Sequence, residues 1–323
     1  MAVKTLPRIY RRLPRHDADS PSALTIGNFD GVHLGHQAIL DGLHAHARQA
    51  GLLSTVMTFE PHPRTFFAQL RGRPELQPGQ ISTRRDKLQA IARHGIRQVA
   101  LLRFNQALAS MPAQQFVEAL LVRGLNTRWL LVGEDFRFGH QRQGDIELLR
   151  RMGADLGFQV QTIAEVLDNA GRRFSSSRLR EALGEGRLEA ARLLLGRPYC
   201  ISGHVIHGRK LGRELGFPTL NLRVPPLCAL RNGIYVVRVS GLADTVLPGV
   251  ASLGVRPSIE TTGERLLEVH LLDTDIQAYG KLAGVEFLSF LRDEASFSDL
   301  STLADAIAND GRLARHYLAT HGL

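Results

Sequence analysis

Cysteine is nearly absent from this sequence, and lysine is scarce. Cys200 and Cys228 are the only thiols, too few for a disulfide framework or a zinc cluster. No run of eighteen apolar residues occurs, which argues against a membrane-spanning helix. The opening MAVKTLPRIYRRLPRHD lacks the apolar stretch of a secretory signal, and Pro7 and Pro14 interrupt any amphipathic transit helix. There is no Gly-x4-Gly-Lys-Ser/Thr loop, and no internal repeat or low-complexity segment. These absences point to a cytoplasmic globular protein with no membrane partner.

What is present fits two folded domains. The chain has 323 residues, 44% hydrophobic and 22% charged, a balance that excludes wholesale disorder. Of 40 basic residues only Lys4, Lys87, Lys210 and Lys281 are lysines, and the net charge is +9. Residues 1–256 carry +15 and residues 257–323 carry −6. The arginines are scattered rather than gathered into a stripe or tail, so the charge suits an enzyme handling phosphates as well as a polyanion binder.

Two textures follow one another. Up to about residue 196, β-like runs (22–29, 53–61, 97–104, 128–136, 158–165) alternate with helix-like segments (36–49, 83–95, 113–124, 145–157). Alternation of this kind predicts a doubly wound parallel sheet covered on both faces, with ligands beyond the carboxyl ends of its strands. A helical pair over 177–195 leads to Gly196-Arg197-Pro198. Beyond it, β runs at 199–208, 232–239, 246–255, 265–273 and 284–293, punctuated by Gly and Pro, predict a small antiparallel β-barrel. A last helix from about Ser298 to Ala319 offers Leu300, Leu303, Ala304, Ile307, Leu313 and Tyr317 to cover an open end of that barrel. The expected division is 1–186, a helical linker 187–198, and 199–323.

The densest chemistry is Gly27-Asn28-Phe29-Asp30-Gly31-Val32-His33-Leu34-Gly35-His36, between a strand and a helix. Glycines let backbone amides approach a ligand, and the helix N-terminus offers unpaired N–H groups with a positive dipole end. His33 and His36 can both address one phosphate group. Phe174-Ser175-Ser176-Ser177-Arg178-Leu179-Arg180 adds hydroxyls and guanidiniums at a helix start, suited to a triphosphate or to plain N-capping. Thr58-Phe59-Glu60-Pro61-His62-Pro63 and Val132-Gly133-Glu134-Asp135-Phe136-Arg137-Phe138-Gly139 fall at expected strand ends. Phe29, Phe59, Phe136 and Phe138 are the aromatics available to wall a flat ring or to pack a core.

In the second half, Gly208-Arg209-Lys210-Leu211-Gly212-Arg213-Glu214-Leu215-Gly216-Phe217-Pro218-Thr219-Leu220-Asn221 is a glycine-studded basic loop running into a strand. Period-two geometry puts the Thr219 hydroxyl and Asn221 amide on one face, hard ligands suited to Mg²⁺ shared with phosphates. Glu268 is an isolated acid in an apolar strand. Either it faces solvent, or at a barrel mouth it takes the proton from a hydroxyl attacking ATP.

These motifs resemble the bacterial bifunctional riboflavin kinase/FMN adenylyltransferase family, the prokaryotic FAD synthetases. GNFDGVHLGH, TFEPHP, VGEDFRFGHQRQG and the Ser-Ser-Ser-x-x-Arg element are similar to the adenylyltransferase half. GRKLGRELGFPTLN, NGIYVVRV, GVASLGVRPS, LEVHLLD and LRDEASF are similar to the riboflavin kinase half, which the resemblance implies is a six-stranded barrel. It implies riboflavin, FMN and FAD as substrates and products, and ATP with Mg²⁺. In the first domain Gly27, Phe29, Asp30, Gly31, His33, Gly35, His36, Ser176, Ser177 and Arg180 are expected on ATP, and Asn28, Phe59, His62, Asp135 and Phe138 on the flavin. In the second, Gly208, Arg209, Lys210, Gly212, Arg213, Gly216, Pro218, Thr219 and Asn221 are expected on ATP, with Thr219 and Asn221 also on magnesium. Glu268 is the expected base, and Arg292 and Glu294 lie on the flavin side. The sequence departs from the family's pattern at Asp135, often Asn, and at Ser177, usually Thr. It departs also at Leu220, usually Ala, and at Gln277-Ala278, usually Asp-Leu. The His-x-Gly-His chemistry does not itself choose FMN over another phosphate ester. Small molecules, rather than nucleic acid, are the expected partners of a monomer or weak homo-oligomer.

Overall fold

A computed structural model describes residues 7–12, 20–208, 215–255, 265–274, 276–297 and 299–322. The chain separates into two compact units, Met1–Pro78 with Lys87–Ser175, and Gly79–Asp86 with Ser176–Leu323. The sequence pattern ends the first domain at 186, whereas the units part at Ser175/Ser176.

The first unit is built on six parallel strands, β1 (Arg8–Tyr10), β2 (Ser22–Ile26), β3 (Leu53–Glu60), β4 (Gln98–Arg103), β5 (Thr127–Gly133) and β6 (Gln159–Ile163). Their order is β1-β4-β3-β2-β5-β6. Around them run α1 (Leu34–Gln49), α2 (Pro63–Leu70), α3 (Arg84–Arg93), α4 (Gln106–Ala109), α5 (Ala113–Phe116, continuing as a π-helical Val117–Gly124) and α6 (Ile146–Leu156). Neighbouring residues of one strand feed opposite cores. Ala23, Val56, Val99 and Trp129 pack with Leu40 and Leu43 of α1, while Leu24, Met57, Ala100 and Leu130 pack with Phe116 and Leu149. Because both faces are covered, these strands read as continuous apolar runs. The sheet grows from β2 through β3 and β4 on one side and through β5 and β6 on the other. The order therefore reverses at β2/β5, and the crevice beyond the carboxyl ends of that pair is where such sheets bind ligands.

The second unit opens with α7 (Ser176–Gly184) and α8 (Leu188–Leu195). A closed barrel follows: β7 (Tyr199–Ile206), β8 (Thr219–Arg223), β9 (Gly233–Ser240), β10 (Leu247–Val255), β11 (Arg265–Leu271) and β12 (Leu282–Arg292), in the order β10-β11-β8-β7-β12-β9. Every pairing is antiparallel. The segment expected as a linker holds α8, which buries Leu188, Ala191, Leu194 and Leu195. One parity of the barrel strands fills its interior: Tyr235, Val237, Ala251, Leu253, Leu267, Val269, Leu222, Val285 and Phe287 are all buried and share a face through the register.

The last helix, α9 (Leu300–Thr320), lies elsewhere than its sequence suggests. It does not cap a barrel end. Ala314 and Leu318 pack against Ile234, Val236 and Val250, residues of the outward parity. The interior is already full, and close approach to the wall favours the small Gly311 and Ala314, both buried. Leu300 and Leu313 stay 56% and 37% exposed.

Candidate functional sites

The motif Gly27–His36 sits at the β2/β5 reversal. Gly27 donates its N–H to the Met57 carbonyl (3.1 Å), and three left-handed residues follow, Phe29 (φ 49°), Gly31 (φ 83°) and Val32 (φ 45°). For Phe and β-branched Val this conformation costs on the order of 1–3 kcal/mol each. Burial enforces it, because Phe29 and Val32 are 1% and 0% exposed within the core beneath α1. The chain thus arrives at α1 with His33 as its N-cap. The His33 Nδ1 accepts from the His36 N–H (3.3 Å), so a proton on neutral His33 resides at Nε2. The two imidazoles stack 3.7 Å apart, and Phe29 lies 5.0 Å from His36. A Cβ at Gly35 would come within 3.2 Å of the His33 ring and 3.3 Å of Phe174, which explains glycine there.

The expected flavin-side residues surround this turn unevenly. The Thr58 hydroxyl donates to the Asn28 carbonyl (3.1 Å). Phe59 meets Phe104 edge to face, beside Phe66 and Phe67 of α2, with ring centroids 5.4–5.8 Å apart. His62 caps α2 through Nδ1, accepting from the Arg64 N–H (3.1 Å). Asp135 is exposed and pairs with Arg173 (3.0 Å), which also reaches Glu165. The Asp135 hydrogen bond strengthens the Arg173 guanidinium's hold on its proton. Phe138 is 6% exposed and belongs to the core beside Phe116, so it supports the partly buried Phe136 stacked on it rather than offering a free face. Ser176, Ser177 and Arg180 stand on α7 of the second unit, where Arg180 Nε donates to the Gly79 carbonyl (2.6 Å).

In the first unit one group was not legible as a site residue. Lys87 of α3 reaches the Asn28 carbonyl (3.4 Å). Burial lowers its pKa, opposed by Asp30 and Glu60 nearby. The only signal was a lysine on a helix whose other cations are Arg84, Arg85 and Arg93.

In the second unit, register decides the site. Glu268 pairs with Asn221 on one side and Ser252 on the other, and His270 pairs with Thr219. All have the parity opposite to the residues that fill the barrel. Glu268 therefore faces out from the wall instead of standing at the barrel mouth, because Tyr235 and Phe287 occupy the interior. A cavity of about 260 Å³ lies there, lined by Thr219, Glu268, His270, Arg292, Glu294 and Phe297, and by Leu303 and Ile307 of α9. A second cavity of about 150 Å³ is lined by Pro218, Thr219, Gln277, Ala278 and Tyr279. Thr219 walls both. A Cβ at Gly208 would collide with the buried Asn221 amide, and His270 Nδ1 donates to the Pro218 carbonyl (3.0 Å), fixing the start of β8. Gly216 has a left-handed φ of 85°. Arg209, Lys210, Gly212 and Arg213 lie outside the described residues.

Arg292 is held by a carboxylate that sequence reasoning missed. Asp310 of α9, 2% exposed, accepts from Arg292 Nε (3.0 Å) and Nη2 (2.7 Å). Asp310→Ala is expected to cost about 2 kcal/mol, less than the 3–5 kcal/mol typical of a fully buried pair, since the Arg292 side chain keeps 30% exposure. A shift of the urea midpoint measures it. Partial burial pushes the Glu294 carboxyl up, Arg265 pulls it down, and the neighbouring Glu268 raises it again. Glu294 occupies the side-chain space of Gly254.

Comparison with known proteins agrees with this geometry. The FAD synthetase family matches residues 15–178 and the riboflavin kinase family residues 195–318. The bifunctional riboflavin kinase/FMN adenylyltransferase of Escherichia coli K12 is 41% identical over 294 residues, 91% of this chain and 92% of that one. That of Pseudomonas fluorescens is 42% identical, covering 90% and 91%. The chain belongs to the bifunctional riboflavin kinase/FMN adenylyltransferase family. It accordingly combines riboflavin kinase and FMN adenylyltransferase activities, with ATP and flavins as substrates. A crystal structure described as a macrolide-efflux protein from Streptococcus pneumoniae, 29% identical, matches with a TM-score of 0.79 over 96% of this chain and 99% of that one. Among the described residues here, no helix is long and apolar enough to cross a membrane.

Magnesium, usual in this family, suits the donors on β8. Thr219 and Asn221 share one face opposite His270 and Glu268, a hard-oxygen set of the kind Mg²⁺ accepts while keeping waters and phosphate oxygens. Bound there, the ion would neutralise phosphate charge.

Proposed function

We propose that residues 199–323 phosphorylate the riboflavin 5′-hydroxyl, that residues 1–186 adenylylate the FMN so formed, and that 187–198 connect them. The observation that carries the kinase assignment is Thr219 walling two cavities, with Glu268 in one of them. In this reading the nucleotide enters from the side of Gln277–Tyr279, with the loop 208–218 around its phosphates. Riboflavin lies in the larger cavity beside Arg292 and Glu294. Glu268 takes the proton from the ribityl hydroxyl as that oxygen attacks the γ-phosphorus and ADP leaves. An alcohol is a poor nucleophile, so this step needs a base.

Adenylyl transfer makes a different demand. The FMN phosphate is already a nucleophile; it attacks the α-phosphorus of ATP, and pyrophosphate departs. Alignment and charge stabilisation suffice. His33, His36 and the α1 N-terminus, which opens at Leu34, are suited to the charge developing at phosphorus. Ser176, Ser177 and Arg180 are assigned to the nucleotide's phosphates. Asn28, Phe59, His62 and Asp135 are assigned to the flavin, with Phe138 supporting from the core. The protein acts in the cytoplasm as a monomer or weak homo-oligomer on small molecules; the scattered arginines and acidic C-terminal section favour small molecules over nucleic acid. Purified protein given riboflavin and MgATP should form FMN first and FAD second, resolved by chromatography over time. Adenylylation of phosphopantetheine or another phosphate ester, with none of FMN, would reject the scheme.

A further inference from the structure

We propose that Lys87 is a positioning residue for adenylyl transfer. From α3 it holds the Asn28 carbonyl between Asp30 and Glu60, and so fixes the left-handed turn that delivers His33 and His36. The inference rests on the assignment of FMN adenylylation to the first unit. Three observations carry it. The Asn28 carbonyl receives two donors, the Thr58 hydroxyl at 3.1 Å and the Lys87 ammonium at 3.4 Å. That carbonyl belongs to the peptide entering Phe29, the first of the residues with φ near +50°, so its direction sets the course of the turn. Phe29 and Val32 fill the space beneath, but packing alone does not orient a peptide plane; two donors on one oxygen do.

The second observation is electrostatic. Withdrawing an ammonium from water lowers its pKa, and here burial is the largest influence, countered by Asp30 on the turn and Glu60 at the end of β3. α3 is already anchored by Leu88, Ala90, Ile91 and Ala92, so docking the helix does not require a partly buried cation. Third, the chain uses arginine for 36 of its 40 cations, yet places lysine here. A compact ammonium fits a single carbonyl, whereas the planar guanidinium fork is shaped for two-point partners.

The test compares wild type, Lys87→Met and Lys87→Arg for FAD formation from FMN and ATP, with FMN formation from riboflavin as an internal control. Lys87→Met should lower kcat for FAD formation by about 10- to 100-fold. KM for FMN should stay within about threefold, and the kinase rate should not change. Lys87→Arg keeps the charge but not the compact shape, so its rate should fall below wild type, while the alkaline fall that wild type shows earlier than an ordinary lysine titrates should be missing from its profile. A merely structural lysine would lower the melting temperature without this kcat loss or this change of pH profile. Should Lys87→Met not fold, the Lys87→Arg pH profile decides alone, and an alkaline limb identical to wild type overturns the proposal. FAD formation intact in Lys87→Met overturns it too and leaves the adenylylation assignment standing. Wild-type protein that makes no FAD overturns both.

Discussion

Glu268→Gln is expected to slow FMN formation from riboflavin by about 10²–10⁴, the usual contribution of a general base, while FMN supplied directly is still converted to FAD. Glutamine keeps the size of the side chain and its place opposite Asn221 and Ser252, so the cavity wall survives and only proton acceptance is removed. The neighbouring Glu294 is a poor substitute. It sits against Gly254, two residues along β10 from the Ser252 that Glu268 faces. Separate initial rates with riboflavin and with FMN measure the effect. Equal loss of both activities would reject two independent centres.

His36→Ala should do the converse, lowering FAD formation by about 10²–10³ and sparing the kinase. His36 is the cleaner of the two histidines to remove. The His33 ring caps α1 by accepting from the His36 backbone N–H, a role worth about 1 kcal/mol, so its loss mixes helix stability with chemistry. Truncating His36 leaves that backbone donor in place and removes only the ring stacked 3.7 Å from His33. Comparing the FAD rate with the melting temperature separates the two kinds of damage.

The sequence disclosed most where neighbours in the chain are also neighbours in space. The ten residues from Gly27 to His36 carry their own glycines, cap and histidines, so strand end, turn and helix start could be placed together. The four central parallel strands, β2 to β5, showed as largely apolar runs because both of their faces are buried. Thr219 and Asn221 fell on one face because a strand alternates. What stayed hidden depends on distance along the chain. Lys87 meets Asn28 across 59 residues, and Asp310 meets Arg292 from another element. β1 has three residues, too few for a pattern, and α2 directly follows a strand end whose motif drew the eye to β structure. Alternation also says which residues share a wall but not which wall is inside. That ambiguity misplaced Glu268 at the barrel mouth and let the large apolar side chains of α9 suggest the wrong contact, where Gly311 and Ala314 permit the right one.

The filled barrel has a consequence for turnover. Tyr235, Phe287 and their buried neighbours fill the interior, so in the proposed kinase site the vitamin and nucleotide would load and unload outside the staves. Amide hydrogens in β9 and β12 should therefore exchange with deuterium equally slowly in resting and working enzyme, and any breathing during a catalytic cycle should register in α9 and the segments beside it.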